Sequence, residues 1–112
     1  MIPEVSVLLP MYNAEGTLET CLRSLLRQRM ASWECVLIDD GSTDHSLALA
    51  RRIAARDPRI RLIEAEHRGL IESLNLGIEH CRGAIVARMD ADDWMHRDRL
   101  SLQSRQKCCR CI

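Results

Sequence analysis

Short apolar, β-rich runs alternate along this chain with segments whose apolar residues recur at helical spacing, and this alternation restricts the fold more than any other feature. Strands that are joined through helices of about 12 or more residues form right-handed crossovers and lie parallel in one sheet. The sequence therefore predicts an α/β fold, Rossmann-like, with a mostly parallel sheet and flanking helices. The predicted strands are residues 5–9, 33–38, 60–63 and 84–87.

Start signals and one apolar face mark the predicted helices. Asn13 is expected to cap the first helix, and Ser42 or Thr43 the second, because their side-chain oxygens can accept hydrogen bonds from free N–H groups. A third helix is predicted over residues 70–81. Pro10 is expected to end the first strand, because proline lacks the N–H that a sheet needs. The residues expected to face the core are Leu18, Leu22, Leu25 and Leu26 in the first helix and Leu47, Ala50, Ile53 and Ala54 in the second.

The size and composition are those of one small globular domain. The chain has 112 residues, of which 46% are apolar, so it can build an aliphatic core. Its 16 basic and 16 acidic residues cancel, which excludes a chain-wide positive field for nucleic acid or anionic lipid. The arginines at 59–61 are interpreted as solvated. No apolar run approaches the roughly 20 residues of a membrane span. We expect a cytoplasmic domain, which missing or partner segments could hold at a membrane face.

The six cysteines fall into two groups. Cys21, Cys35 and Cys81 lie singly within apolar stretches, where cysteine behaves as a small buried hydrophobe, and we interpret them as core thiols. The others crowd the tail at residues 107–112, where two of them have C-x-x-C spacing. A zinc site needs four ligands and no second pair follows, so an atypical end with exposed thiols is favoured over a metal site. These tail cysteines are Cys108, Cys109 and Cys111.

Polar clusters follow three of the predicted strands. They are residues 10–13, 39–44 and 90–93. A parallel sheet would bring them to one edge, where ligands of such sheets gather, so we expect a binding site there. The sequence contains neither G-x-G-x-x-G nor the P-loop motif, so phosphates would have to be bound in another way.

The last cluster contains an Asp-x-Asp motif. Asp92, with Asp90 beside it, could hold Mg²⁺ or Mn²⁺ together with the phosphates of a nucleotide. A solvated acidic turn that caps the next helix is the alternative, because so short a motif is weak evidence alone. Asp40 could accept hydrogen bonds from a base or ribose. Asp39 could equally be a turn residue, and a cap is the favoured interpretation of Asp44.

Segments of this chain, in the right order, resemble the family 2 glycosyltransferases of GT-A fold. These segments are residues 5–13, 36–44, 68–70 with 75–78, and 87–93, and the resemblance covers about residues 3–106. It implies inverting transfer of a sugar from a nucleotide-diphosphate donor, often a UDP-sugar, with a divalent metal. It leaves the donor sugar and the acceptor, glycan or lipid-linked, open.

The resemblance also implies roles for individual residues. Pro10 and Tyr12 would border the nucleotide, and Asp40 would bind its base. Arg68 would lie near the nucleotide. The Asp-x-Asp motif would be formed by Asp90 and Asp92, with Asp92 as the direct ligand of Mn²⁺ or Mg²⁺ and Asp90 facing the nucleotide sugar as well.

The chain departs from the family after this motif. Family members continue with later strands that carry an acceptor-side Asp or Glu as general base, whereas here no Asp or Glu follows Asp98. Asp93 and Asp98 are left unassigned near the motif, and Asp98 is interpreted as a cap or ion-pair partner of the last helix. We therefore expect residues 1–106 to be an incomplete, donor-binding domain and residues 107–112 to be a tail unlike the family. The alternative is a catalytically inactive remnant that binds a nucleotide sugar.

Overall fold

In the computed structural model, which describes residues 2–106, helices and strands alternate along the chain. The strands form one sheet of order β3-β2-β1-β4, and every neighbouring pair is parallel. The predicted Rossmann-like α/β fold is thereby confirmed. The elements are β1 Val5–Met11, α1 Leu18–Leu26, β2 Trp33–Asp40, α2 Ser46–Arg56, β3 Ile60–Ala65, α3 Leu70–His80, β4 Ile85–Arg88 and α4 Arg99–Gln106.

The sheet separates two apolar layers, because side chains alternate between its faces. Val7 and Leu9 of β1 belong to the larger core cluster, with α1 and α2. Leu8 and Ile38 belong to the smaller cluster, which α3 covers. Helix α3 approaches the sheet closely at Gly77, where a Cβ atom would lie 2.3 Å from Leu8 Cδ1 and 2.5 Å from Ile38 Cδ1. This contact fixes α3 over β1 and β2.

The first strand is longer than predicted. It continues through Pro10 to Met11, so the prediction that Pro10 ends the strand is wrong. Leu8 directs its carbonyl towards β4, since that oxygen accepts a hydrogen bond from Met89 N. Pro10, two residues later, faces the same side, but the β1–β4 register ends at the pair Leu8–Arg88. The N–H that proline lacks is therefore not needed by the sheet.

The second strand is also longer than predicted and ends at Asp40. Asp39 and Asp40 therefore lie in the strand, not in the following turn, and on opposite faces of the sheet. Side chains an even number of residues apart in a strand lie on the same face. Asp40 is four residues from Val36 and six from Glu34, so it lies on the face that α3 covers. The two extra residues of β2 therefore place the Asp40 carboxylate on the sheet face that α3 covers.

Both predicted helix starts are wrong, because the polar residues bind a neighbouring loop instead. Helix α1 begins after Thr17 and α2 after His45. Asn13 has a φ of 48°, in the left-handed region. Its side-chain oxygen accepts a hydrogen bond from Thr43 N, 30 residues away. These side chains thus bind residues that are distant in the sequence, whereas a helix cap binds N–H groups only two or three residues away.

The predicted apolar faces are largely correct. Leu18, Leu22 and Leu25 are fully buried, whereas Leu26 is exposed. In α2, Leu49 takes the place predicted for Leu47, beside Ala50, Ile53 and Ala54. Within residues 2–106, the helices are too short or too polar to cross a membrane.

The cysteine interpretation is confirmed for two residues and holds in part for a third. Cys21 and Cys35 are fully buried. Cys81 is half-buried and packs against the cluster under α3. The predicted tail, with Cys108, Cys109 and Cys111, lies outside the described residues.

The buried Glu34 carboxylate joins three strands and the segment before β4. Ser6 Oγ donates a hydrogen bond to Glu34 Oε2 over 2.6 Å, and Arg61 Nη1 donates to Oε1 over 2.8 Å. Arg82 donates from its backbone N–H over 2.7 Å and from Nε over 3.0 Å. Arg61 is therefore a structural ion-pair partner, and the interpretation of the 59–61 arginines as merely solvated is wrong.

The hydrogen bonds keep Glu34 ionised. Burial raises the pKa of Glu34, but the hydrogen bonds from Ser6, Arg82 and Arg61 outweigh burial and lower the pKa from 4.5 to about 2. A carboxylate whose pKa is lower in the folded than in the unfolded chain stabilises the fold above the unfolded pKa. That contribution is lost as the pH falls from about 4.5 towards 2.

Glu34→Gln should lower the free energy of unfolding at neutral pH by about 3 kcal/mol, because it removes the charge that compensates two arginines. Glu64→Gln breaks an exposed pair with Arg51 and should have a much smaller effect on the free energy of unfolding, because solvent screens exposed pairs. Urea unfolding measures both. On acidification from about pH 5 to pH 2, the wild type should lose more stability than Glu34→Gln, and equal losses would contradict this role of Glu34.

Candidate functional site

The three polar clusters converge on the carboxyl edge of the sheet, as predicted. Strand β1 ends at Met11, β2 at Asp40 and β4 at Arg88, and parallel strands bring these ends to one side. From β1 the chain adds β2 and β3 on one side, and then crosses back to place β4 on the other. Ligands of open α/β sheets bind at such a switch point.

The loops after β1 and β2 are tied together by hydrogen bonds. Asn13 N donates to Ser42 Oγ over 3.0 Å, and Asn13 Oδ1 accepts from Thr43 N over 2.8 Å. Ala14 N donates to Ser46 Oγ over 2.7 Å. The two loops therefore form one rigid unit at the edge of the sheet.

Asp39 and Asp44 have local roles in the second loop. Asp39 Oδ1 accepts a hydrogen bond from Ser42 N over 3.3 Å, and Asp44 Oδ1 accepts one from Ser46 N over 2.8 Å. Asp44 thus accepts the first N–H of α2, in line with its interpretation as a cap, whereas Asp39 belongs to β2 and only its carboxylate contacts the turn. Neither carboxylate is needed to explain a ligand site.

Asp40 is enclosed by the loop at residues 67–69. Its Oδ1 accepts from Arg68 N over 2.8 Å, and its Oδ2 accepts from Gly69 N over 3.1 Å and from His67 Nδ1 over 3.0 Å. His67 Nδ1 also lies 3.1 Å from the Asp40 carbonyl oxygen; because both neighbours are acceptors, Nδ1 carries the proton. Burial raises the pKa of Asp40, but the Arg68 and Gly69 N–H groups, Ser73 and His67 together lower it.

Two stacked aromatic rings lie next to the Asp40 carboxylate. The rings of Tyr12 and His67 stack, with centroids 4.3 Å apart and planes 25° apart. Gly41 has a φ of 69°, and a Cβ atom on it would lie 2.7 Å from His67 N, so this approach requires glycine. The residues that line the resulting pocket of about 80 Å³ are Pro10, Met11, Tyr12, Asp40, Leu70 and Ser73.

Arg68 contributes to the site by its backbone and by an exposed guanidinium. The backbone N–H binds Asp40, while Nη2 lies 3.7 Å from Glu66 at the surface. A second pocket, of about 330 Å³, adjoins the first and shares Asp40 and Ser73 with it. Arg68 lines this wider pocket and remains available to a ligand.

Sequence reasoning missed His67 and Ser73. His67 lies directly before the Arg68-Gly69 pair, which belongs to the segments that resemble the family, and this position is a signal that the sequence offers. Ser73 lies inside a predicted helix, and nothing in the sequence distinguishes it from any other helical serine.

The acidic turn after β4 brings three carboxylates together. Asp90, Asp92 and Asp93 are exposed, and one oxygen of each lies within 4.8 Å of the others. Asp90 N donates to Asp93 Oδ2 over 3.0 Å, and Asp93 N donates to the Asp90 carbonyl over 3.0 Å. Oxygen ligands at such spacing suit hard cations such as Mg²⁺ and Mn²⁺. The residues thus fit a divalent metal.

The acidic turn is held against α1 by a thiol. Cys21 Sγ donates to the Asp90 carbonyl over 3.4 Å. Burial raises the pKa of Cys21 to about 12, and the negative charges of Asp93, Asp92 and Asp90 add to this effect. Cys21 therefore stays protonated and acts as a hydrogen-bond donor to the turn.

Comparison with known sequences identifies the relatives of this chain. The sequence profile described as glycosyl transferase family 2 matches residues 6–105. An uncharacterized glycosyltransferase of Bacillus subtilis, EpsJ, is 43% identical over 95 residues, which are 85% of this chain and 28% of EpsJ. A chondroitin synthase of Escherichia coli is 33% identical over 101 residues, which are 90% of this chain and 15% of the synthase.

Solved structures share the fold. A mannosyltransferase from Pyrobaculum calidifontis, solved with GDP-Man and Mn²⁺, is 34% identical with a TM-score of 0.81, and the match covers 90% of this chain and 31% of that one. TarS from S. aureus, solved with UDP-GlcNAc, has a TM-score of 0.83 at 24% identity, over 91% of this chain and 30% of that one. The chain therefore spans less than a third of the length of these proteins. Because the family profile matches it from β1 into α4, this chain belongs to glycosyl transferase family 2.

Proposed function

We propose that this chain binds a nucleotide-diphosphate sugar through a divalent cation, as the donor-binding part of an inverting glycosyltransferase. The observation that carries the proposal is the acidic turn, whose three carboxylate oxygens lie within 4.8 Å of one another at the carboxyl end of β4. The pocket of Tyr12 and Asp40 lies on the same edge, at the ends of β1 and β2. A cation at the turn would meet the diphosphate of a nucleotide whose base lies in the pocket.

The nucleotide would be bound by the groups around Asp40. Pro10 and Tyr12 would border the base, since both line the pocket. Asp40, kept ionised by its lowered pKa, would accept a hydrogen bond from the base. The exposed guanidinium of Arg68 would lie near the ribose or the phosphates. A UDP-sugar is the proposed donor.

The cation would be bound by the acidic turn. Asp92 would be its direct ligand, with Asp90 beside it and facing the nucleotide sugar. Support comes from the mannosyltransferase of P. calidifontis, which is 34% identical and was solved with Mn²⁺ and GDP-Man. A bound Mn²⁺ or Mg²⁺ supplies electrostatic stabilisation of the diphosphate leaving group. The chain itself contributes the ligand oxygens and, through Cys21, a fixed position for the turn.

A second proposal is that the described residues bind the donor without transferring its sugar. Inverting transfer needs a base that takes the proton of the acceptor hydroxyl. Asp93 already accepts a hydrogen bond from Asp90 N, and Asp98 pairs with Arg29 Nε over 3.1 Å. Both unassigned carboxylates near the motif thus have structural partners, which favours binding over transfer for residues 2–106.

Asp92→Asn should weaken Mn²⁺-dependent binding of UDP by at least about tenfold, because a ligand oxygen of the cation loses its charge. Asp57→Asn, a matched control, changes a carboxylate that pairs with Arg59 and should leave binding unchanged. Isothermal titration calorimetry with UDP and Mn²⁺ measures both. Equal affinity of Asp92→Asn and the wild type would remove Asp92 from the metal site.

The 112-residue chain should hydrolyse a UDP-sugar slowly and show no acceptor-dependent transfer. A positioned general base raises the rate of transfer by about 10²- to 10⁴-fold. Orientation of the two substrates lowers the activation barrier by up to roughly 7–11 kcal/mol in favourable cases. Release of UDP from a panel of UDP-sugars with Mn²⁺ is measured with and without glycan and lipid-linked acceptors. Acceptor-stimulated release that disappears in Asp92→Asn would reject binding without transfer in favour of a working transferase.

A further inference from the structure

We infer that copies of this chain associate head to tail, with helix α3 of one copy docked in the groove between α1 and α2 of the next. The inference goes beyond the proposed function, because neither surface contains a residue assigned to the nucleotide or to the metal. One surface is an exposed ridge and the other is a concave groove. They are complementary in apolar character and in the sign of their charges.

The α3 ridge consists of Ile71, Glu72, Ile78 and Glu79. Ile71 is 74% exposed and Ile78 is 50% exposed, and both glutamates are exposed as well. Residues that are seven apart in a helix lie two turns apart on the same side, so the isoleucines form one row and the glutamates form a second row beside it. An exposed apolar patch with a polar border indicates an interaction surface.

The α1–α2 groove is a concave site of about 290 Å³ on the opposite face of the sheet from α3. Its apolar lining comes from Leu22 and Leu26 of α1 and from Ile53 of α2. Leu22 is fully buried and Leu26 is 36% exposed, so these side chains form a partly accessible apolar floor. The projecting side chains of a helix pack into grooves between helical rows of side chains, so the α3 ridge suits this groove.

The groove carries positive charge that its own acidic residues do not compensate. Arg52 and Arg56 line the groove and are exposed on α2. Glu19 and Asp57, the acidic residues of the groove, pair with other arginines at 2.8 Å each. Among residues 2–106, neither Arg52 nor Arg56 has an acidic partner. Both guanidinium groups are therefore available to the anions of another molecule.

The ridge carries the opposite charge. In the part of the chain that the structure describes, Glu72 and Glu79 lack a basic partner. They lie about 10 Å apart along α3, and Arg52 and Arg56 lie about 6 Å apart along α2, a difference that long arginine side chains can span. Exposed ion pairs contribute little energy. They set the orientation of the contact, while the apolar side chains supply most of the affinity.

A second copy fits the groove better than a membrane does. The apolar floor lies below the exposed arginines, so a flat lipid surface would meet the guanidinium groups without reaching the floor, whereas a projecting helix reaches both. Because ridge and groove lie on opposite faces of the sheet, the contact joins different surfaces of the two copies. Each dimer therefore keeps one free ridge and one free groove, and association continues beyond the dimer.

The test is analytical ultracentrifugation of the 112-residue chain without nucleotide or metal. Concentrations run from about 10 µM to about 1 mM, the range of weak and transient contacts. A reducing agent is present, because the chain has six cysteines that could otherwise link copies by disulfides. The weight-average mass of the wild type should rise with concentration through dimers to larger species, and the association should weaken as the salt concentration rises.

Charge reversal tests the pairing of ridge and groove. The ridge variant carries Glu72→Arg and Glu79→Arg, and the groove variant carries Arg52→Glu and Arg56→Glu. Each variant alone should associate at least about tenfold more weakly than the wild type, because like charges then meet at the contact. An equimolar mixture should recover the association, because the ridge of each variant is opposite in charge to the groove of the other.

Two further proteins complete the set. The control carries Glu4→Arg and Glu15→Arg, which change the net charge as the ridge variant does but lie at exposed positions outside both surfaces, so it should associate like the wild type. Ile71→Ser removes apolar contact from the ridge without changing charge and should weaken the association. All of these side chains are exposed, so the melting temperatures should stay close to that of the wild type.

Several results would overturn the inference. They are a wild-type mass that stays at that of one chain over the whole range, wild-type association of the ridge or groove variant, and a mixture that does not recover association. If a reversal variant melts early, Ile71→Ser decides, and association equal to that of the wild type would overturn the role of the ridge. A monomeric wild type that binds phosphatidylglycerol vesicles or polyglutamate through Arg52 and Arg56 would assign the groove to a lipid surface or to an acidic protein instead.

Discussion

The network around the buried carboxylate of Glu34 is the interaction on which the arrangement of the strands depends. It joins β1 through Ser6, β3 through Arg61 and the segment before β4 through Arg82. Gly83 N adds a hydrogen bond to Ser6 Oγ over 2.8 Å. A buried charge without these donors would be costly, so the four chain segments are held in one register. The entry point of β4, and with it the position of the acidic turn at its far end, follows from this network.

Strand β2 carries a second buried carboxylate, Asp40, at its other end and on the same face. Glu34 is saturated by arginines and a serine, and its role is structural. Asp40 is bound mainly by backbone N–H groups and one imidazole, which keep it ionised. Two acidic residues of one strand therefore differ in role because different donors surround them.

The acidic turn shows how an exposed cluster of like charges is kept in place. Three carboxylates in one turn repel one another unless a cation compensates them. Cys21 of α1 holds the turn through its hydrogen bond to the Asp90 carbonyl. The chain beyond it is bound to the last part of α1, where Met95 N donates to Ser24 Oγ over 2.9 Å. Anchors on both sides hold the three carboxylates in position.

The sequence by itself determined the alternation of strands and helices, the parallel sheet and the edge where Asp40 and the Asp-x-Asp motif lie. These features are local or periodic, so neighbouring residues suffice to predict them. Only the tertiary structure decided that Asn13 braces the loop after β2 instead of capping a helix, and that His67 and the loop after it enclose Asp40. Their partners lie about 30 residues away, and strand register and helix packing, not local sequence, bring such groups within hydrogen-bond distance.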